Sequence, residues 1–213
     1  MAGELTTESM DNWLNAYVER YKDSLDELPQ FYFGAESSPC QKGQARDGFV
    51  GWKPVLREPQ DDLNAIEQAL ETQFAADMHW YYGRYFCPPV KFSSEFGEGE
   101  LLQCYNQEDF DFLQKNLVGH VLMKRKLKQQ ETLFIGVLDD GDWMITVKSD
   151  DGSVWLEQPG QEPEKQIATS IAELFETIRP RVAPASAPEI DDMPEHQGLF
   201  ARFKRMARSL FGR

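Results

Sequence analysis

The side chains able to do nucleophilic, acid–base or metal chemistry are few and scattered. Histidine occurs at His79, His120 and His196, and cysteine at Cys40, Cys87 and Cys104. The cysteines are odd in number, widely spaced and lack the C-x-x-C pattern, so they suggest buried thiols in a reducing compartment. No G-x-S-x-G elbow, phosphate-binding G-x-x-x-x-G-K, G-x-G-x-x-G or H-E-x-x-H occurs. His120 follows Gly119 late in an apolar-periodic stretch and reads as a structural, hydrogen-bonded histidine rather than a general base. Cys40 follows Ser38-Pro39, a turn signal rather than a nucleophile's setting. Asp139-Asp140-Gly141-Asp142 and Asp150-Asp151-Gly152 lack the alternating acids and closing glutamate of a calcium loop, so they read as hairpin turns. These features predict no metal, no cofactor and no catalysis.

The elements that must position these residues are legible from periodicity. Met10, Trp13, Leu14, Tyr17, Val18, Tyr21 and Leu25 recur at helical spacing and predict a first amphipathic helix ending before Pro29. Residues 30–48 read as loop, and 49–55 as an edge strand because of Pro54. Asp61 or Asp62 can cap a second helix carrying Leu63, Ile66 and Leu70. Residues 90–92 and 101–105 are expected strands around a turn at Gly97-Glu98-Gly99. Asn106 is the expected N-cap of the best-defined helix, with Phe110, Leu113, Leu117, Val118, Val121 and Leu122 on one face. Its first turn is acidic and its last turn basic, as the helix dipole favours. Three hairpin-linked strands follow at 132–138, 143–147 and 153–157, then a helix carrying Ile171, Leu174, Phe175 and Ile178. Short connections between strands imply antiparallel pairing. The pattern predicts an α+β domain over residues 1–182, with helices packed on a mainly antiparallel sheet.

The net charge of the 213-residue chain is −14. Such a surface repels nucleic acid and attracts basic partners, although acidity also serves plain solubility. No signal peptide and no transmembrane run is evident. At Val182 the composition changes. Residues 183–197 are rich in Pro, Ala and acid and read as a flexible linker. Residues 198–213 contain no acid; Arg202, Lys204, Arg205, Arg208 and Arg213 oppose Leu199, Phe200, Phe203, Met206, Leu210 and Phe211. That pattern predicts a short basic amphipathic helix.

Several stretches together resemble the Syd family. The strongest is Asn116-Leu117-Val118-Gly119-His120, continuing through Lys126-Leu127 into Thr132-Leu133-Phe134-Ile135. Ser38-Pro39-Cys40, Trp52-Lys53-Pro54, Asn64-Ala65-Ile66-Glu67, Leu101-Leu102-Gln103 and Glu108-Asp109-Phe110 support it in the same order. The resemblance implies a SUKH-superfamily-like fold and no cofactor. It also implies a peripheral protein on the cytoplasmic side of the inner membrane that binds the SecY translocation channel. There it would restrain the translocase or monitor uncomplexed channels. Cytoplasmic loops of membrane proteins carry excess Lys and Arg, so an acidic face suits them.

The candidate partner contacts are Asp61, Asp62, Glu67 and Glu71 on the second helix and Glu108, Asp109 and Asp111 on the long one. Only Glu67, Glu108 and Asp109 lie in family-like segments; the others rest on charge and position. Reversing Glu67 and Asp109 together is expected to damage binding without unfolding the domain. Family members are expected to end near the last helix, which makes the C-terminal extension a departure. Its Phe200, Arg202, Phe203, Lys204, Arg205, Arg208, Leu210 and Phe211 would contact anionic lipid. The alternatives are folding back on the acidic domain and remaining without structure. A second function also fits: an immunity or antitoxin-like module that neutralises a basic toxin.

Overall fold

The structure is a computed structural model that describes residues 2–32 and 37–185, with side chains from residue 7 onward. The basic segment 198–213, and the linker from residue 186, lie outside the described residues.

Helix α1 (Ala2–Leu25) buries the predicted stripe from Met10 to Tyr21, whereas Leu25 faces solvent. It packs where the domain's C-terminal end returns: Trp13 Nε1 donates to Ile178 O at 3.1 Å. Tyr21 Oη donates to Ala183 O at 2.9 Å and accepts from Ala183 N at 3.1 Å.

The expected loop at 30–48 instead contains two strands. Strands β1 (Gln30–Tyr32) and β2 (Gln41–Arg46) flank β3 (Phe49–Trp52), all antiparallel. β3 is therefore central, not an edge. Pro54 lies past its end, before β4 (Val55–Leu56), and removes no hydrogen bond from the ladder. β2 escaped notice because it is polar and almost wholly exposed, with no apolar alternation to read. Its turn to β3 uses Asp47 and Gly48, both at positive φ, as a tight hairpin requires.

Helix α2 (Asn64–Leu70) begins at Leu63 without a side-chain cap. The aspartates expected to cap it do other work: Asp61 pairs with Arg57, and Asp62 Oδ1 accepts from Asn64 N. Helix α3 (Asp77–Gly83) carries the aromatic cluster inward, and β5 (Tyr85–Phe86) pairs with β4.

The main sheet is seven-stranded and antiparallel throughout. It contains β6 (Val90–Ser94), β7 (Gly97–Leu101), β8 (Thr132–Leu138), β9 (Met144–Lys148), β10 (Val154–Glu157), β11 (Pro163–Ala168) and β12 (Arg179–Pro180). Their order is β11-β10-β9-β8-β7-β6-β12. The expected turn at Gly97-Glu98-Gly99 lies inside β7; the chain reverses at Glu95 and Phe96. Gly99 serves close strand approach, since a Cβ there would stand 2.3 Å from Val137 O. Tyr81 and Tyr82 Oη anchor α3 to β8 by donating to Ile135 O at 2.9 Å and Phe134 O at 2.8 Å.

Helix α4 (Gln107–Leu127) packs on β8. Asn106 caps it as expected, its side chain accepting from Asp109 N at 2.9 Å. Phe110, Leu113, Leu117 and Val121 are buried, but Leu122 is turned outward. Helix α5 (Ile171–Thr177) starts from a Ser170 cap and buries Ile171, Leu174 and Phe175. One continuous core joins α1, the sheet and α2–α5. The result is an α+β domain with helices on an antiparallel sheet.

Candidate functional site

Arg57 organises the acidic end of the domain. It is 2% exposed, and a buried guanidinium must find both packing and charge partners. Its ring neighbours are Phe86, with the centroid at 4.0 Å, and Phe110 at 4.8 Å. Nε donates to Tyr85 O at 3.1 Å, while Nη1 donates to Asp61 Oδ2 at 2.5 Å and to Gln107 Oε1 at 3.1 Å. Gln107 opens α4, and its Nε2 donates to Asp111 Oδ1 at 3.3 Å. Asp61 and the first turns of α4 are thereby tied through one cation. The tie spans 50 residues between Arg57 and Gln107, so no local pattern announces it.

The far end of α2 is tied to the far end of α4. Arg125 Nη1 donates to Leu70 O at 2.7 Å, and its Nε pairs with Glu131 at 2.7 Å. The α2 segment therefore runs beside α4, with carboxylates at both ends of the seam. Asp62, Glu71, Glu108 and Asp111 are exposed on it, and Asp61 partly so.

Glu67 and Asp109 are occupied within the domain. Glu67 Oε1 accepts from Phe74 N at 2.6 Å and lies 3.3 Å from His79 Nε2. His79 Nδ1 accepts from Leu63 N at 3.1 Å, so the proton on the ring faces Glu67. Asp109 is only 6% exposed, and its Oδ2 accepts from Tyr105 N at 3.1 Å. Charge reversal at Asp109 or Glu67 would act on folding first, contrary to the expectation that this pair tests binding alone.

A second polar cluster is sealed inside, between α4, β8, β9 and β10. Lys124 Nζ donates to Glu157 Oε1 at 3.0 Å and to Gln161 O at 2.7 Å. Thr132 and Thr146 Oγ1 donate to Glu157 Oε2 at 2.9 and 3.1 Å. His120 Nε2 lies 2.9 Å from Thr132 Oγ1, and burial, aided by Lys124, pushes its pKa down to about 3. His120 is thus neutral and structural. Burial pushes the Glu157 carboxyl up, and Lys124 pulls it back. Sequence reasoning missed Lys124 and Glu157; both stand at positions that charge alone assigns to the surface.

The cysteines are buried. Burial pushes the Cys40 thiol up to about 11, so it is not a poised nucleophile. Among the described residues no group of three His, Cys, Asp or Glu could hold a metal ion. No described helix is long and apolar enough to cross a membrane.

An acidic α+β domain with a carboxylate-lined seam between two helices is the class that this fold and site define. The model of the family described as Syd protein (SUKH-2) matches residues 7–180. The chain belongs to the Syd family. Similar curated proteins are each called Protein Syd. One from Shewanella baltica is 46% identical over 210 residues, covering 96% of this chain and 97% of its own. One from a Shewanella species is 47% identical and one from Shewanella putrefaciens 43%, with the same coverage. Matches covering 96% of the chain must extend well past Val182. The C-terminal extension is therefore not the departure from relatives that the sequence suggested, although the family model stops at residue 180.

Proposed function

We propose that this protein binds the cytoplasmic face of the SecY channel through the α2–α4 seam and acts as a regulator or quality-control factor of the translocase. The observation that supports the reading is that the buried Arg57 ties Asp61 to Gln107 at the start of α4, so that Asp61 and Asp62 before α2 and Glu108 and Asp111 in the first turns of α4 stand at the same end of the seam. Arg57 is paired with Asp61, and the exposed Asp62 and Asp111 present negative charge to a positively charged visitor. Lys- and Arg-rich cytoplasmic loops supply that charge, and opposite fields speed the encounter and fix its register. The basic segment 198–213 would hold the protein at the anionic inner surface of the membrane, and the linker would give it reach.

Binding to SecY in membranes, titrated with salt, tests the reading. The expected result is an affinity that falls as ionic strength rises and is lost when Asp62 and Asp111 are both changed to Lys. Wild-type affinity in that double variant would reject the seam. The same chemistry suits a basic toxin, and SUKH-2 in the family description keeps that reading in view. Co-purification with such a toxin and not with SecY would select it.

A further inference from the structure

Helix α4 turns to solvent a ridge that its own domain does not use. At 100° per residue Asp111, Lys115, Gly119, Leu122 and Lys126 fall within about 80° of one another, and all five are exposed. Gly119 stands in the helix interior, where glycine weakens a helix. Among the described residues nothing lies within 4 Å of a Cβ built on it, so packing inside the domain does not call for glycine there. A glycine on an exposed ridge lets another backbone come close. Leu122 beside it is 51% exposed. Lys115 lies over the half-buried ring of Phe112, with Nζ 5.0 Å from the centroid. Among the described residues Lys126 has no ion-pair partner.

The charges along the ridge are ordered. Asp111 stands about 12 Å before Gly119 along the helix axis, and Lys126 about 10 Å after it. A helix carrying the same ridge, laid antiparallel over Gly119, would set its own Lys126 against Asp111 and its own Asp111 against Lys126. The stem of its Lys115 would lie over Leu122, and its macrodipole would run opposite to that of α4. The ridge is therefore complementary to itself turned about a two-fold axis, as an isologous dimer requires. A parallel copy would set acid against acid and lysine against lysine. A wholly basic segment would meet Lys115 and Lys126, and a wholly acidic one would meet Asp111.

We propose that the occupant of this ridge is a second copy of the chain, with α4 crossing α4 antiparallel at Gly119 and Asp111 paired with Lys126 twice across the two-fold axis. One helix ridge is a small contact beside a standard interface of roughly 1,600 Å², so the dimer is weak and forms as the protein becomes concentrated. The net charge of −14 opposes it at low salt. At physiological ionic strength the screening length is about 8 Å, so the distant charges fade and the pairs in contact persist. The dimer stands on the ridge alone. Its consequence for binding rests on the seam being the SecY-binding surface: Asp111 belongs to both, so the dimer withholds it and the monomer offers it to a basic partner.

Sedimentation velocity of the full chain, over a rising concentration series at physiological salt, tests the dimer without SecY, so its failure is separable from failure of the SecY reading. The expected result is a monomer–dimer equilibrium. Gly119→Gln fills the crossing point while keeping the helix, and Asp111→Lys or Lys126→Asp turns two pairs repulsive in every dimer. Each of the three changes weakens association about tenfold. An equimolar mixture of the Asp111→Lys and Lys126→Asp variants recovers dimer near the wild-type level, because each copy then supplies the charge that the other lacks. The mixture also controls for folding, since only folded chains can recover the contact. A monomer at every concentration, a dimer indifferent to the three changes, or charge variants that associate no better mixed than apart would each overturn the proposal.

Discussion

The ammonium of Lys124 stands 3.0 Å from the carboxylate of Glu157, with neither side chain exposed to solvent. The pair joins the last turns of α4 to β10 across 33 residues of sequence. Its neighbours are all polar groups turned inward: Thr132, Thr146, His120 and the carbonyl of Gln161. Removing one member leaves a buried charge without an answer.

Lys124→Met is accordingly expected to destabilise the domain by about 3–5 kcal/mol. The double variant Lys124→Met/Glu157→Leu should recover part of the loss, though not all, because the two threonines and Gln161 O remain buried. Urea unfolding of the three proteins measures both effects.

His120 makes stability depend on acid. Its folded pKa of about 3 lies below the ordinary histidine value of 6.5, so between these values the unfolded chain binds a proton that the folded chain refuses. The stabilisation is complete above pH 6.5 and is lost progressively as pH falls toward 3, by up to about 1.4 kcal/mol per pH unit. His120→Gln removes this ionisation, so its stability should fall less steeply over that window. A flat difference between variant and wild type from pH 6.5 to 4 would refute the assignment.

Gly119→Ala should stabilise the domain by about 0.5–1 kcal/mol, since the new methyl group meets no neighbour and the helix gains propensity. A fall in melting temperature would show that the glycine has a structural duty here.

Asn106→Ala removes the oxygen that holds Asp109 N and should cost about 1 kcal/mol. Loss of that order in urea unfolding, with unchanged slope, would mark a cap effect and not a change of compactness.

The acids of the seam should separate into two kinds. Asp62→Lys and Asp111→Lys are expected to leave the melting temperature nearly unchanged while weakening partner binding, because both side chains are exposed. Asp109→Lys should unfold or severely destabilise the domain, because its carboxylate is buried against Tyr105 N. Thermal melts run beside the binding assay distinguish the two.

Much of the fold was readable in one dimension because its causes are local. The stripe from Met10 to Tyr21, the cap at Asn106 and the strand 132–138 each follow from side-chain spacing or a hydrogen bond a few residues away. Local chemistry failed where its signal was weak or ambiguous. β2 is polar and exposed and lacks alternation, and the Gly97–Gly99 stretch looks like a turn although Gly99 makes room for Val137 O in the next strand. The excess of acid and its concentration near α2 and α4 were also written in the chain.

Which acids face outward was decided only when the chain closed on itself. Asp109 and Asp111 are two residues apart on one helix, yet one is buried and the other exposed. Arg57 meets Gln107, and Lys124 meets Glu157, across separations that no periodicity encodes. Local spacing sets what a segment can form. The solvation of a charge depends on whatever distant surface comes to rest against it, and only the tertiary structure supplies that surface.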